Sequence, residues 1–207
     1  MNLSEPLEGL TSLVEAAVLR VLARADAGFS GRHVHALAGV GSTSSVHRAL
    51  AGFVELGLVT AEPRPPAIMY RINRAHALWP VVEAALAARS RVFEAIATFC
   101  EQELPEELGL TVIVYGSVAR RESTLASDVD ILVVYPEGID PDARADFDYR
   151  LGAHVRRITG NEAQIFSIER EDLRQRMADG DVFIGNVLAD GILIHGAPIS
   201  PTSRVDA

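Results

Sequence analysis

The chain has 207 residues, 48% of them hydrophobic, with mean hydropathy +0.17 and a formal net charge of −9. That is apolar material enough for a packed core, and length enough for one large domain or two small ones of about 100–150 residues. No stretch reaches the roughly 18 uninterrupted apolar residues of a membrane span, MNLSEPLEGL has no basic region leading into an apolar run, and the one cysteine, Cys100, excludes an intramolecular disulfide and a multi-cysteine zinc site; a cytoplasmic protein without a membrane partner is expected.

Lysine is absent and all 19 basic residues are arginine, so no lysine can serve as nucleophile or phosphate ligand. Charge is uneven along the chain. Residues 1–75 carry seven arginines and six acids, and the remainder twelve arginines and 22 acids. A near-neutral first third and an acidic remainder point to two parts with different partners.

Leu10, Leu13, Val14, Ala17, Val18, Val21 and Leu22 recur at helical spacing. A second helix follows in FSGRHVHALAG, capped by Ser30 with Val34, Leu37 and Ala38 on one face. Gly39-Val40-Gly41 makes a tight turn. Ser42 then caps a third helix, STSSVHRALAGFVELG, with Val46, Leu50 and Phe53 on its inner stripe and Gly57 at its end. LVTAE and AIMYRIN read as two short strands joined by PRPP.

Helix, helix, turn, helix and hairpin is the layout of a winged helix-turn-helix. STSSVHRALAGFVELGLV resembles the winged-helix domains of bacterial transcription regulators, over roughly residues 8–74. With the apolar stripe inward, Ser44, Ser45, His47 and Arg48 stand outside, where a recognition helix meets base edges and phosphates of double-stranded DNA. Arg64 lies at the wing tip. Local charge is only weakly positive, so a homodimer would help by doubling the phosphate contacts. The same layout also serves as a protein-docking or dimerisation module.

HALWPVVEAALAARSRVFEAIATFCEQELPEEL places Val81, Val82, Ala85, Leu86, Val92, Phe93, Ile96 and Phe99 at helical spacing, with Pro80 in the first turn. One connecting helix is expected here.

LTVIVYGS is a β-rich run ending in Gly116-Ser117, VARRES suits a helical turn or two, and SDVDILVVY is a second β-rich run. In a strand, residues i and i+2 share a face. Asp128 and Asp130 then project together with Cα atoms roughly 6.8 Å apart, while Val129, Ile131 and Val133 enter the core. Two like charges on one face repel unless a cation joins them. Mg²⁺ suits the site, because it takes a few hard oxygen ligands and fills its octahedron with water and phosphate oxygens. Gly116 permits close backbone approach to a phosphate, Ser117 opens a helix, and Arg120 and Arg121 could reach a polyphosphate.

GSVARRESTLASDVDILVV resembles the signature of the polymerase-beta-like nucleotidyltransferase superfamily, and specifically its minimal nucleotidyltransferases. Gly116, Ser117, Ala119, Arg120, Ser127, Asp128 and Asp130 match, whereas Arg121 stands where the family usually has glycine. The likeness extends more weakly over 104–196. It implies that Gly116 and Ser117 hold nucleotide phosphates, with Arg120, Arg121 and Ser127 beside them, and that Asp128 and Asp130 are the catalytic, metal-binding pair for Mg²⁺ and a nucleoside triphosphate. It also implies an antitoxin-like role, with a partner toxin modified or neutralised, or a small-molecule target. Such enzymes usually carry a third carboxylate on a later strand. The best-aligned position here is Gln164, which has no negative charge and is no base. Glu162, two residues earlier on the same face, is the nearest substitute, and Glu169 falls past the strand.

The remaining C-terminal stretch reads as scaffold. DARADFDYRLGAHVRRITG is a helix whose Asp140, Asp142, Asp146 and Asp148 form a solvated face, REDLRQRMADGDVFIGNVLADGILIHG is helix, helix and short strand, and PISPTSRVDA is a disordered tail. The expected fold class is α/β (α+β): a winged helix-turn-helix over 1–76, a connecting helix over 77–103, and a polymerase-beta-like nucleotidyltransferase domain with a small mixed sheet over 104–207. The functional expectation is a DNA-binding transcription regulator with a Mg–NTP site; the alternative is a regulator whose second domain is inert and serves sensing or dimerisation.

Overall fold

Ser12 opens the first long helix. Its hydroxyl accepts from the Glu15 amide while the Glu15 side chain accepts from the Ser12 amide, a reciprocal cap that fixes the start of α1 (Leu13–Leu22). Leu10 therefore lies outside the helix, after a short 3-10 turn at Pro6–Gly9, and is exposed. The computed structural model describes residues 1–103 and 109–199. The first residues of the expected nucleotidyltransferase domain, 104–108, and most of the tail, 200–207, lie outside them. The chain divides into two compact units: Ser4–Arg89 with Asn2, and Ser90–Ala207 with Met1 and Leu3.

In the first unit, β1 (Phe29–Ser30), α2 (Gly31–Ala38), α3 (Thr43–Glu55), β2 (Val59–Arg64) and β3 (Ala67–Ile72) follow α1. The sheet order is β1-β3-β2, antiparallel throughout, with Arg64 opposite Ala67 at the hairpin end. This is the three-helix and hairpin layout expected from the sequence, with β1 added as a third strand. Val18, Val21, Leu22, Val34, Val46, Leu50 and Val59 form its core. Leu37, expected on the inner face of α2, is instead exposed. Val34 and Ala38 already fill the inward stripe of this two-turn helix, and Leu37 points off it.

The expected single connector is two helices, α4 (Trp79–Leu86) and α5 (Ala88–Glu103). Trp79 and Val82 pack with Leu7, Ala16, Leu19 and Leu58 of the first unit, whereas Val92, Ile96 and Cys100 enter the core of the second. One apolar repeat thus serves two cores, and the helix breaks at Ala87 between them.

The second unit continues with β4 (Thr111–Tyr115), α6 (Gly116–Ala119), β5 (Val129–Tyr135), α7 (Pro141–Thr159), β6 (Ala163–Glu169), α8 (Arg170–Ala178), α9 (Val182–Asp190) and β7 (Ile192–His195). The sheet order is β6-β5-β4-β7, mixed, with β5 and β6 parallel and α7 as their crossover. Side chains alternate across it. Val112, Val114, Val129, Ile131 and Val133 face α5 and α7; Ile113, Leu132, Val134 and Ile168 face α8 and α9. Asp148 leaves the expected solvated face of α7. Its carboxylate accepts from the Tyr135 hydroxyl at 2.8 Å and from the Ser167 hydroxyl, tying the crossover helix to both parallel strands.

Candidate active site

The site begins where β4 ends. Tyr115 is the register partner of Asp130 on β5, and Asp130 is in turn the partner of Gln164 on β6. Tyr115, Asp130 and Gln164 thus form one lateral row across three strands, spaced by the roughly 4.8 Å between strands. After Tyr115 the backbone turns through Gly116 at φ +69°, passing directly over the Asp130 carboxylate. A Cβ at Gly116 would overlap Asp130 Oδ2 and stand 3.0 Å from its Cγ. Glycine is required here twice, by the left-handed backbone and by the carboxylate beside it. That carboxylate is partly buried. Burial pushes it above the usual carboxylate range, Asp128 adds to the rise, and Arg120 opposes it. The Tyr115 hydroxyl is likewise raised, by burial first and then by Asp130.

Asp128 is exposed and sits one residue before β5. Its loop is anchored from the far side. The buried Asn161 side chain donates to the Ser127 carbonyl at 2.6 Å, and the Val129 amide donates to the Glu162 carbonyl at 2.8 Å. Asn161 was not apparent from the sequence, since it lies in the turn between α7 and β6, and only the fold brings it to residue 127. The Ser127 hydroxyl accepts from the Thr124 amide at 2.9 Å, which closes the loop locally. Gln164 Nε2 donates to Asp128 Oδ2 at 3.4 Å. Glu162 is held by Arg156 at 2.8 Å, so it is already paired.

Arg120 bridges Glu122 at 3.0 Å and approaches Asp190 at the end of α9 at 3.7 Å; these partners, Glu122 foremost, raise its pKa further. Among the described residues Arg121 is the non-glycine residue with positive φ, at 63°. The family's usual glycine at this position has a plain physical reason, because left-handed backbone costs an ordinary residue about 1–2 kcal/mol. Ser117 lies within the four-residue α6.

The donor set fits a hard divalent cation: two carboxylates on one face, one of them strained by its neighbour's charge. Among the described residues no group of three His, Cys, Asp or Glu converges. Water and phosphate oxygens would complete such a cation's shell. A cavity of about 500 Å³ in this unit is lined by Thr111, Val134, Leu173 and Met177, with Arg170 and Arg174. Thr111 pairs with Val134 at the opposite end of the β4–β5 ladder, about 13 Å along the strand from Asp130, so the cavity takes no part in this site.

On α3, Ser44, His47 and Arg48 are exposed opposite the buried Val46, Ala49 and Leu50. Ser45 is committed to the cap, its hydroxyl accepting from the Ser42 amide at 2.9 Å and donating to the Ser42 carbonyl at 2.8 Å. The His47 ring lies against Gly31 of α2, where a Cβ would be 2.9 Å from its Cε1. Arg64 pairs with Glu62 on the hairpin at 3.0 Å.

A turn that presses glycine onto a carboxylate, an aspartate pair at a strand start and a mixed four-stranded sheet come together in the second unit. Residues 94–184 match the model of the family described as nucleotidyltransferase domain. Among solved structures, a proposed nucleotidyltransferase from Sulfolobus solfataricus is 18% identical, covering 53% of this chain and 85% of its own, with a TM-score of 0.31. TrmBL2, an archaeal chromatin protein whose structure shows a novel mode of DNA binding, is 17% identical, covering 87% of this chain and 75% of its own, with a TM-score of 0.30. No curated protein matches the chain.

Proposed function

We propose that this protein is a DNA-binding regulator whose second unit binds a Mg²⁺–nucleoside triphosphate and transfers its nucleoside monophosphate to a hydroxyl of a protein or nucleic acid. The observation that carries the reading is the Asp130 carboxylate lying against the glycine turn, with Asp128 beside it. That supports a reading with cation ligands next to backbone able to approach a phosphate. Asp128 and Asp130 would hold Mg²⁺, which supplies charge neutralisation for an in-line displacement. Gly116 and Ser117 receive the phosphates, and Arg120 offsets their charge. The acceptor oxygen bonds to the α-phosphorus as pyrophosphate leaves, and the acceptor's proton passes to solvent. A partner toxin carrying the acceptor hydroxyl would make the protein antitoxin-like.

A second reading, nucleotide binding without turnover, is favoured by one specific contact. Gln164, in the row with Asp130, donates to Asp128 and offers no base. The two readings separate when purified protein is incubated with Mg²⁺ and α-labelled ATP beside an Asp128→Asn/Asp130→Asn variant. Label transferred by the wild type alone supports transfer. Nucleotide retained without transfer supports sensing, and neither binding nor transfer refutes both.

For the first unit, Ser44, His47 and Arg48 are the base- and phosphate-facing groups, and Arg64 on the wing meets a phosphate once released from Glu62. A gel shift on the protein's own promoter should weaken with salt, and Arg48→Ala should weaken it across all sequences and reduce the salt slope by about one. Unchanged binding by that variant rules out α3 as the recognition helix.

A further inference from the structure

The Mg–NTP reading leaves the nucleoside end of the ligand unassigned, and the inference here rests on that reading. The aromatic rings beside the metal pair supply a wall for it. Tyr115 stands next to Asp130 in the lateral row, and Phe166 lies two residues beyond Gln164 on the same face of β6. Phe183, near the start of α9, meets both rings edge-on: 5.8 Å and 84° to Tyr115, 5.3 Å and 89° to Phe166. It therefore spans from β4 to β6 beside the carboxylates.

Its exposure separates it from the α9 side chains that enter the core. Ile184 and Val187 are fully buried in the core beneath α9, whereas Phe183 remains 42% exposed. A large ring held from the side by two other rings, yet open to solvent, is a pre-oriented stacking surface. At the other end of α9, seven residues and about 10 Å away, Asp190 approaches Arg120, the residue assigned to phosphate. One helix thus ties the phosphate end of the site to an aromatic end.

We propose that Phe183 is the stacking wall for the nucleobase of the bound triphosphate, so that the site takes intact nucleoside triphosphates of any base in preference to free polyphosphate. Stacking does not depend on base identity, because every base has a π-face.

The test compares wild type, Phe183→Leu and Phe183→Ala, as full chains with Mg²⁺, titrated with ATP, GTP, CTP and inorganic triphosphate, alongside thermal unfolding. Leucine keeps the apolar contact with the neighbouring rings while removing the π-face. Both variants should bind inorganic triphosphate as the wild type does and lose about 5–150-fold in affinity for each nucleoside triphosphate. Nucleotide affinity unchanged in Phe183→Leu overturns the proposal while leaving the Mg–NTP reading intact. So does a loss shared equally by inorganic triphosphate together with a lowered melting temperature, since Phe183 would then act through packing alone. Wild type that binds no ligand of the four overturns the underlying reading instead.

Discussion

Replacing Gly116 by alanine tests the geometry on which the site depends. The left-handed φ of +69° alone costs an alanine about 1–2 kcal/mol. Unfolding entropy near 2.1 cal/mol/K per residue over a unit of about 120 residues gives roughly 4 °C per kcal/mol, so this floor lowers the melting temperature by about 4–8 °C. The new methyl also overlaps Asp130 Oδ2, and the carboxylate must swing away. Mg–nucleotide affinity should then fall about 10–100-fold, as when a metal ligand loses its support. With Asp130→Ala in the background, the closest remaining neighbour is the Cβ at 3.3 Å, a distance a small shift accommodates. The stability cost of Gly116→Ala should accordingly drop to its backbone floor, leaving a coupling of about 0.5–3 kcal/mol between the two positions. Far-UV circular dichroism follows the melting, and Trp79, the one tryptophan, lies in the first unit, so its emission distinguishes that unit's unfolding. An equal cost of Gly116→Ala in both backgrounds, with nucleotide affinity intact, would refute the contact.

Arg121→Gly should relieve the positive φ and stabilise the chain by about 0.5–1 kcal/mol in urea unfolding, while weakening nucleotide binding measured by calorimetry. Asp130, with its folded pKa raised, costs stability when ionised; that cost is absent at pH below its ordinary pKa and fully present above the raised one. Asp130→Asn should therefore raise the metal-free melting temperature at neutral pH, with the gain vanishing in acid. The same variant should lose the stabilisation by Mg–ATP, about 2.7 kcal/mol at a hundred times Kd for wild type. Because protons compete with the cation for Asp130, wild-type Mg–ATP affinity should weaken as pH falls through that raised range, and a flat profile would place the cation elsewhere. Tyr135→Phe removes the hydroxyl that donates to Asp148 and should cost about 1–2 kcal/mol in urea unfolding without altering nucleotide affinity.

What the sequence could disclose was local. The caps at Ser30 and Ser42 bound helices through contacts within a few residues, so composition and spacing reveal them. The alternation in SDVDILVVY likewise set apart Asp128 and Asp130 from the core valines, because a strand's period belongs to the strand itself. Period alone did not tell that the connector divides between two cores, since both halves carry the same apolar repeat. Nor did it show Asp148 bound by Tyr135 and Ser167, since its partners are distant in sequence.

The site was half legible for the same reason. Gly116 and the aspartate pair announce themselves within fifteen residues, but the row Tyr115, Asp130, Gln164 exists only because three strands pair in one register. Asn161 reaches residue 127 through the turn after a nineteen-residue helix, and Phe183 meets Tyr115 across 68 positions of chain. Residue types and their spacing, by themselves, determined which groups could bind a cation and phosphate. Which side chains stand beside them was decided by tertiary pairing, whose partners are set by packing and register over long separations that no local pattern encodes.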